Sequence, residues 1–300
     1  MHSAGYKVLR GLAGGRDAFL RTAMAVSGTS AVFSYAGGSY AREAVGADGL
    51  VDVGYTDARH DLLVHNEMAY LRDFPSHIAF FAEEPAAAGG ETLLCDGRRV
   101  WRDLSAAARA TLGEGQQLTY SQIYGNGALR YASRNDYMAL WQDVFGVDDK
   151  ASAEARAASL GYAVAWSAED EMEVTFTRPA VRGAASPLTA PPTATSTGAR
   201  EGAPPCFFDQ LVCCHSKNCS ATTRDGRPHF HVTLADAGAP GGRREIPAGV
   251  VQEVEALTEE HTEEVALAKG DAVVVDNRLV KHGRRAYQGE RSMVVALLSS

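Results

Sequence analysis

KGDAVVVDNRLVKHGRR, residues 269–285, decides how this chain folds. Ala272 to Val275 is an unbroken apolar run between Gly270-Asp271 and Asp276-Asn277. That pattern reads as a strand buried on both faces. Leu279 and Val280 then lead into His282, and Gly283 follows. RSMVVALL, residues 291–298, reads as another buried strand. The C-terminal end is therefore built of sheet.

Working outward, the N-terminal part carries matching strands. GYKVLRGL (5–12) is a short strand, and Leu62 to Val64 is an apolar run that leads into His65. Ile78 to Ala82 is a further strand, and PAAAGGETLLCD (85–96) gives a turn and a strand. Helical spacing predicts helices over Gly15–Gly28, Asp96–Leu112, Arg134–Phe145, Ala151–Leu160 and Ala248–Glu260. Val100, Trp101, Leu104 and Ala108 set the spacing in the second. Ala184 to Pro205 holds five prolines and almost no large apolar residue, so it reads as a loop or disordered insertion. PCFFDQLVCC and PHFHVTL follow it. Strands come first, a helical middle follows, and strands return. No internal repeat is visible. The distant strand groups must meet, which argues for one domain over 1–300.

His65 and Glu67 are candidate metal ligands. Residues i and i+2 on a strand share a face, so both could reach one ion while Asn66 points away. His282 is a candidate second imidazole. Two imidazoles and one carboxylate on one face of an ion are the ligand set of non-haem Fe(II) oxygenases. Each residue also has a plainer reading: a polar strand end for His65 and Glu67, and a satisfied core histidine for His282. Arg291 opens an apolar strand, where a buried guanidinium needs an anionic partner. It could hold a carboxylate through two parallel hydrogen bonds, or form a surface ion pair. Thr92 lies 27 residues after His65 and could donate to the same carboxylate, or serve as an ordinary β-branched strand residue.

Three segments together carry a family resemblance: HNEMAYLRDFP (65–75), FFAEEPAAAGGETLLCDGRRVW (80–101) and KGDAVVVDNRLVKHGRRAYQGERSMVVALL (269–298). They resemble the TauD/TfdA-type 2-oxoglutarate dioxygenases, and most of all the clavaminate-synthase-like and SyrP-like branch. VLRGL (8–12) and GYAVAWSAEDEMEVTFTRPAV (161–181) fit the same family. The resemblance implies a mainly β chain with flanking helices around a double-stranded β-helix, a cupin-like jelly-roll. It implies Fe(II) on His65, Glu67 and His282, with dioxygen and 2-oxoglutarate as co-substrates. The 1-carboxylate and 2-keto oxygen of 2-oxoglutarate would chelate the iron, and its far carboxylate would rest on Arg291 and Thr92.

Many relatives have Asp where this chain has Glu67, whereas clavaminate-synthase-like members have Glu. Related halogenases lack the carboxylate, so Glu67 argues for oxygen transfer. CFFDQLVCCH (206–215), with Asp209, departs from a W-F-N segment frequent in the family and leaves the substrate pocket open. The expected reaction is hydroxylation of an unactivated C–H bond of a small amino-acid-like substrate, free or carrier-bound. Desaturation, epoxidation or cyclisation would use the same residues. A cupin-like metal isomerase without 2-oxoglutarate and a non-catalytic jelly-roll binding protein are the alternatives.

Composition narrows the setting. A hydrophobic fraction of 45% and a charged fraction of 22% describe a globular chain. The net charge of −8 argues against a nucleic-acid partner. No apolar run is long enough to cross a membrane. The first residues lack the continuous apolar stretch of a secretory signal, although their arginines leave a transit peptide open. Cys95, Cys206, Cys213, Cys214 and Cys219 are an odd set that describes no disulfide framework. A reducing, cytoplasmic location is expected, and homo-oligomerisation is left open.

Four clusters compete with these readings. Cys213, Cys214, His215 and Cys219 lack the paired spacing of a zinc site. His229 and His231 share a strand face, with no carboxylate at suitable spacing and with a solvent-side strand edge as the plainer reading. Arg284, Arg285 and Tyr287 could meet a substrate or simply pack. Tyr70 and Phe74 could line the pocket on the same terms.

Overall fold

The computed structural model describes residues 5–33, 44–46, 49–53, 57–113, 115–127, 139–183, 205–207, 229–236 and 242–299. The chain opens with β1 (Tyr6–Leu9), α1 (Gly15–Ser27), β2 (Ala31–Val32) and β3 (Val51–Asp52). Next come β4 (Leu62–His65), β5 (His77–Glu84), β6 (Ala88–Gly89) and β7 (Thr92–Asp96). A long middle part holds α2 (Gly97–Asp103), α3 (Ala106–Leu112), β8 (Gln117–Tyr124), α4 (Trp141–Phe145) and α5 (Lys150–Ser159). It continues through β9 (Ala163–Trp166), β10 (Met172–Pro179), β11 (Val181–Gly183), β12 (Pro205–Phe207), β13 (Phe230–Ala235) and β14 (Arg243–Arg244). The last part is α6 (Ala248–Glu260), β15 (Thr262–Val265), β16 (Ala272–Asp276), β17 (Val280–Arg284), β18 (Tyr287–Gln288) and β19 (Ser292–Ser299).

Two sheets make the core. One runs β1-β16-β5-β19-β2, with β3 also on β19, and the other runs β15-β7-β17-β4. Along the chain, β3, β5, β16 and β19 belong to the first sheet, while β4, β7, β15 and β17 belong to the second. This winding between two sheets is a double-stranded β-helix, the jelly-roll expected from the sequence. The space between them is filled from both sides by Ile78, Leu94, Val273, Val275, Val280 and Val295.

The unbroken apolar runs have a simple cause. Val273 and Val275 face the space between the sheets, whereas Ala272 and Val274 pack with Phe19 and Ala23 of α1. Both faces of β16 are buried, so no polar alternation is possible. The other sheet is backed in the same way: Leu93 and Cys95 pack with Val100, Leu104 and Val254 of the neighbouring helices.

Residues 97–261 are an excursion from one edge of the jelly-roll. β7 and β15 pair directly, Thr92 opposite Val265, so the chain returns beside its point of departure. The excursion carries its own sheet, β14-β13-β8-β10-β9. The helix expected over Asp96–Leu112 is two helices. Asp96 caps the first by accepting from Arg98 N (2.9 Å), and Ser105 caps the second by accepting from Ala108 N (3.1 Å). Of Arg134–Phe145, only Trp141–Phe145 is helical among the described residues, and residues 128–138 lie outside them. Of Ala184–Pro205, only Pro205 is described. No helix among the described residues is long and apolar enough to cross a membrane.

Candidate metal centre

Antiparallel pairing of β17 with β4 sets His282 opposite His65. The register shifts between His282 and Arg284, so both histidines sit beside an irregular stretch of the ladder. The rings lie 4.6 Å apart, centroid to centroid. The third candidate is not on the strand, as the sequence had suggested. β4 ends at His65, and Glu67 begins a turn in which Met68 takes a left-handed φ of 55°. Glu67 still reaches the same point, because the turn is held from outside the strand.

Asn277, in the bend between β16 and β17, is what holds it. Its Oδ1 accepts from Glu67 N (2.7 Å), and its Nδ2 donates to Glu67 O (2.9 Å) and Pro75 O (2.8 Å). Asn66 does point away from the centre, as expected. It donates to Asn277 O (2.7 Å) and Val280 O (3.3 Å).

His65, Glu67 and His282 each present one ligand atom, and these atoms lie within 4.8 Å of one another. Glu67 Oε2 stands 3.7 Å from His65 Nε2 and 3.6 Å from His282 Nε2. These distances are too long for good hydrogen bonds and short enough for one ion to touch all three. His65 Nδ1 lies 2.8 Å from Leu63 O. A carbonyl only accepts, so Nδ1 carries the proton and Nε2 keeps its lone pair for a metal. Phe80 covers His282 at 5.1 Å. Two imidazoles and a carboxylate in this arrangement fit ferrous iron.

A cavity opens along the same face. Arg284 is two residues beyond His282 and pairs across the ladder with Thr92 of β7. Thr92 and Arg291 line one cavity with Gly90, Glu91, Ala266, Leu267 and Met293. The Arg291 guanidinium lies 5.4 Å from the Tyr287 ring, and that of Arg284 lies 4.8 Å from it. Burial, with the neighbouring charge of Arg284, lowers the Arg291 pKa to about 10, so the group remains a cation at neutral pH. Gly90, at φ 78°, keeps the cavity open: a Cβ there would press on Arg291 Nε and on Tyr287 Cβ, each at 3.3 Å. The spacing that suggested Thr92 and Arg291 thus places both side chains on one cavity.

The remaining candidates separate. Arg284 is buried and donates to Arg285 O (2.8 Å) and Asp57 O (3.3 Å). Arg285 is at the surface, with Asp61 and Glu264. His229 is buried against Phe230 (4.4 Å), so it is not the solvent-side position expected. His231 does meet a carboxylate, Glu245 at 3.0 Å, which folding brings in from 14 residues away. Tyr70 meets Phe230 at 4.6 Å, and Phe74 lies under the Arg178 guanidinium at 5.2 Å. The loop after Glu67 therefore joins the inserted sheet. Asp209, Cys213, Cys214, His215 and Cys219 lie outside the described residues. Sequence reasoning passed over Asn277 and Arg178. Each left a signal: an amide closing a buried strand, and a cation at an inward position of β10.

The profile of the family described as taurine catabolism dioxygenase TauD, TfdA family matches residues 1–297. The dapdiamide synthesis protein DdaC of Enterobacter agglomerans is 26% identical over 238 residues, covering 78% of this chain and 64% of that protein. A clavaminate synthase-like protein of Arabidopsis thaliana is 24% identical over 235 residues, covering 78% of this chain and 63% of that protein. The chain thus spans under two thirds of the length of these relatives. A solved asparagine oxygenase, in complex with Fe(II), 3-hydroxyasparagine and succinate, overlaps loosely: TM-score 0.48, 16% identity, 99% of this chain and 74% of that one. The family's span, residues 1–297, includes His65, Glu67, Thr92, His282 and Arg291. This chain belongs to the TauD/TfdA family.

Proposed function

We propose that this protein is an Fe(II)- and 2-oxoglutarate-dependent oxygenase that hydroxylates a C–H bond of a small, amino-acid-like molecule. One observation carries the reading. A two-histidine, one-carboxylate cluster and an arginine-threonine cavity share the same jelly-roll. Bound iron supplies activation of dioxygen, coupled to decarboxylation of 2-oxoglutarate to succinate. His65, Glu67 and His282 hold the ion.

Arg291 takes the far carboxylate of 2-oxoglutarate through two parallel hydrogen bonds, and the Thr92 hydroxyl adds a third. Burial and the neighbouring Arg284 both disfavour the Arg291 cation, so an incoming anion would offset a charge that is costly to bury. This arginine-lined cavity speaks for a dicarboxylate co-substrate and against a metal isomerase that uses none. The family description names the catabolism of taurine, a small amino sulfonic acid, which supports a small, amino-acid-like substrate class.

The test is spectroscopic. Under anaerobic conditions, 2-oxoglutarate added to the Fe(II) protein should give a visible metal-to-ligand charge-transfer band. In air, candidate amino acids, free or carrier-bound, should then raise succinate formation. Folded, iron-loaded protein without the band would overturn the reading.

A further inference from the structure

We propose that Asn277 is a positioning residue of the metal centre: its carboxamide sets the place of Glu67 against the two imidazoles. The inference rests on the metal centre proposed above.

His65 and His282 are held by the β4–β17 ladder, but that ladder ends at His65. Two residues on, Glu67 lies beyond the end of β4, and the chain is already turning through the left-handed Met68. Asn277 takes the place that a facing strand residue would hold. One side chain accepts from Glu67 N and donates to Glu67 O, as an opposing strand residue would. The second Nδ2 proton goes to Pro75 O, which anchors the far end of the same loop.

The backbone of Asn277 is used as well. Its N–H donates to Ser76 O (3.0 Å), and its carbonyl accepts from Asn66 Nδ2. Asn277 is fully buried, so water cannot take over any of these bonds. The pattern also fixes the amide orientation, because oxygen must face the N–H and nitrogen the two carbonyls. Asn277 lies five residues before His282 in the same bend and strand. The ligand that has left the sheet is thereby tied to the segment that carries a ligand still on it.

No common substitute reproduces this set. Asp keeps the acceptor, loses both donors and adds a negative charge beside the Glu67 loop. Ala loses all three bonds. The expected effect is on where the carboxylate stands, and so on metal affinity.

The experiment measures Fe(II) dissociation constants anaerobically for wild type, Asn277→Asp and Asn277→Ala, together with apo-protein circular dichroism and melting. Val274→Ala serves as a destabilised control, since Val274 packs on the α1 side of β16. Folded Asn277 variants should bind Fe(II) at least tenfold more weakly, within the roughly 10–100-fold that groups orienting a metal ligand carry. Val274→Ala should melt earlier and bind iron like wild type. Wild-type affinity in either folded Asn277 variant would overturn the proposal. So would an equal affinity loss in Val274→Ala, or failure of both Asn277 variants to fold, which would make Asn277 a determinant of folding alone. Failure of wild type to bind Fe(II) would instead strike the metal centre itself.

Discussion

Arg178 is buried and Arg291 half-buried, and the two regions that hold them treat the charge differently. In the jelly-roll, Arg291 faces a cavity, with another guanidinium nearby and a glycine keeping the space open. In the inserted sheet, Arg178 lies over Tyr120 (4.8 Å), Phe176 (4.6 Å) and Phe74 (5.2 Å), and Nη2 donates to Leu71 O at 2.5 Å. The protein itself supplies this second cation with aromatic faces and a carbonyl. In the proposed function, the first takes its anion from the co-substrate. A buried charge therefore marks a ligand site only where the surrounding groups leave its anion to come from outside.

The largest expected effect tests the proposed metal centre of the jelly-roll. Glu67→Ala removes the only carboxylate of the three-residue cluster. Fe(II) affinity and succinate formation should fall by more than the roughly 100-fold typical of groups outside the ligand set. Iron titration and a succinate assay read this directly, and near-normal turnover would remove Glu67 from the ligands.

The next effect separates the two arginines. Arg291→Gln should raise the KM for 2-oxoglutarate about 100-fold, as expected when one partner of a buried charge pair is removed at a cost of about 2–5 kcal/mol. Its apo-protein should melt no lower than wild type, because burial and the neighbouring Arg284 both disfavour the lost cation. Arg178→Leu should behave in the opposite way. It should lose about 2 kcal/mol of stability with the three aromatic contacts and the carbonyl bond, and leave the 2-oxoglutarate KM unchanged. A KM change in Arg178→Leu, or a melting loss without a KM change in Arg291→Gln, would erase the distinction.

The contrast also explains which features were legible in the sequence. The jelly-roll strands were, because β16 and β19 are buried on both faces and read as unbroken apolar runs. In the inserted sheet the signal is diluted. β8, QLTYSQIY, is buried almost throughout yet carries Thr119, Ser121 and Gln122, so its sequence does not announce a strand. The ligand residues could be listed from their types and spacing, but the turn at Glu67 could not. It depends on Asn277, more than two hundred residues away, and no local propensity of Asn66-Glu67-Met68 encodes that bond. The break between α2 and α3 was legible in principle, since Leu104-Ser105-Ala106 is an N-cap pattern.

A smaller effect compares two buried histidines, one in each region. Burial lowers the pKa of His77 in β5 to about 4, with Asp276 opposing the shift and Arg278 reinforcing it. His229, beside the inserted sheet, is also lowered to about 4 by burial, with only a backbone contact to Ile123 opposing. A depressed imidazole pKa means that the unfolded chain takes up a proton before the folded one does. The stability that each neutral ring provides is therefore complete above about pH 6.5 and is lost as the pH falls toward 4. Each ring should contribute a slope of up to about 1.4 kcal/mol per pH unit across that window. Urea melts of wild type, His77→Gln and His229→Gln at pH 7, 6 and 5 isolate the two contributions, because other titrating groups cancel in the differences. Asp276 Oδ2 stands 3.7 Å from His77 Nε2 and can stabilise a protonated ring, whereas among the described residues no acid contributes at His229. His229→Gln should therefore flatten the acid slope at least as much as His77→Gln does. Equal slopes in all three proteins would show that neither ring is held neutral by its region.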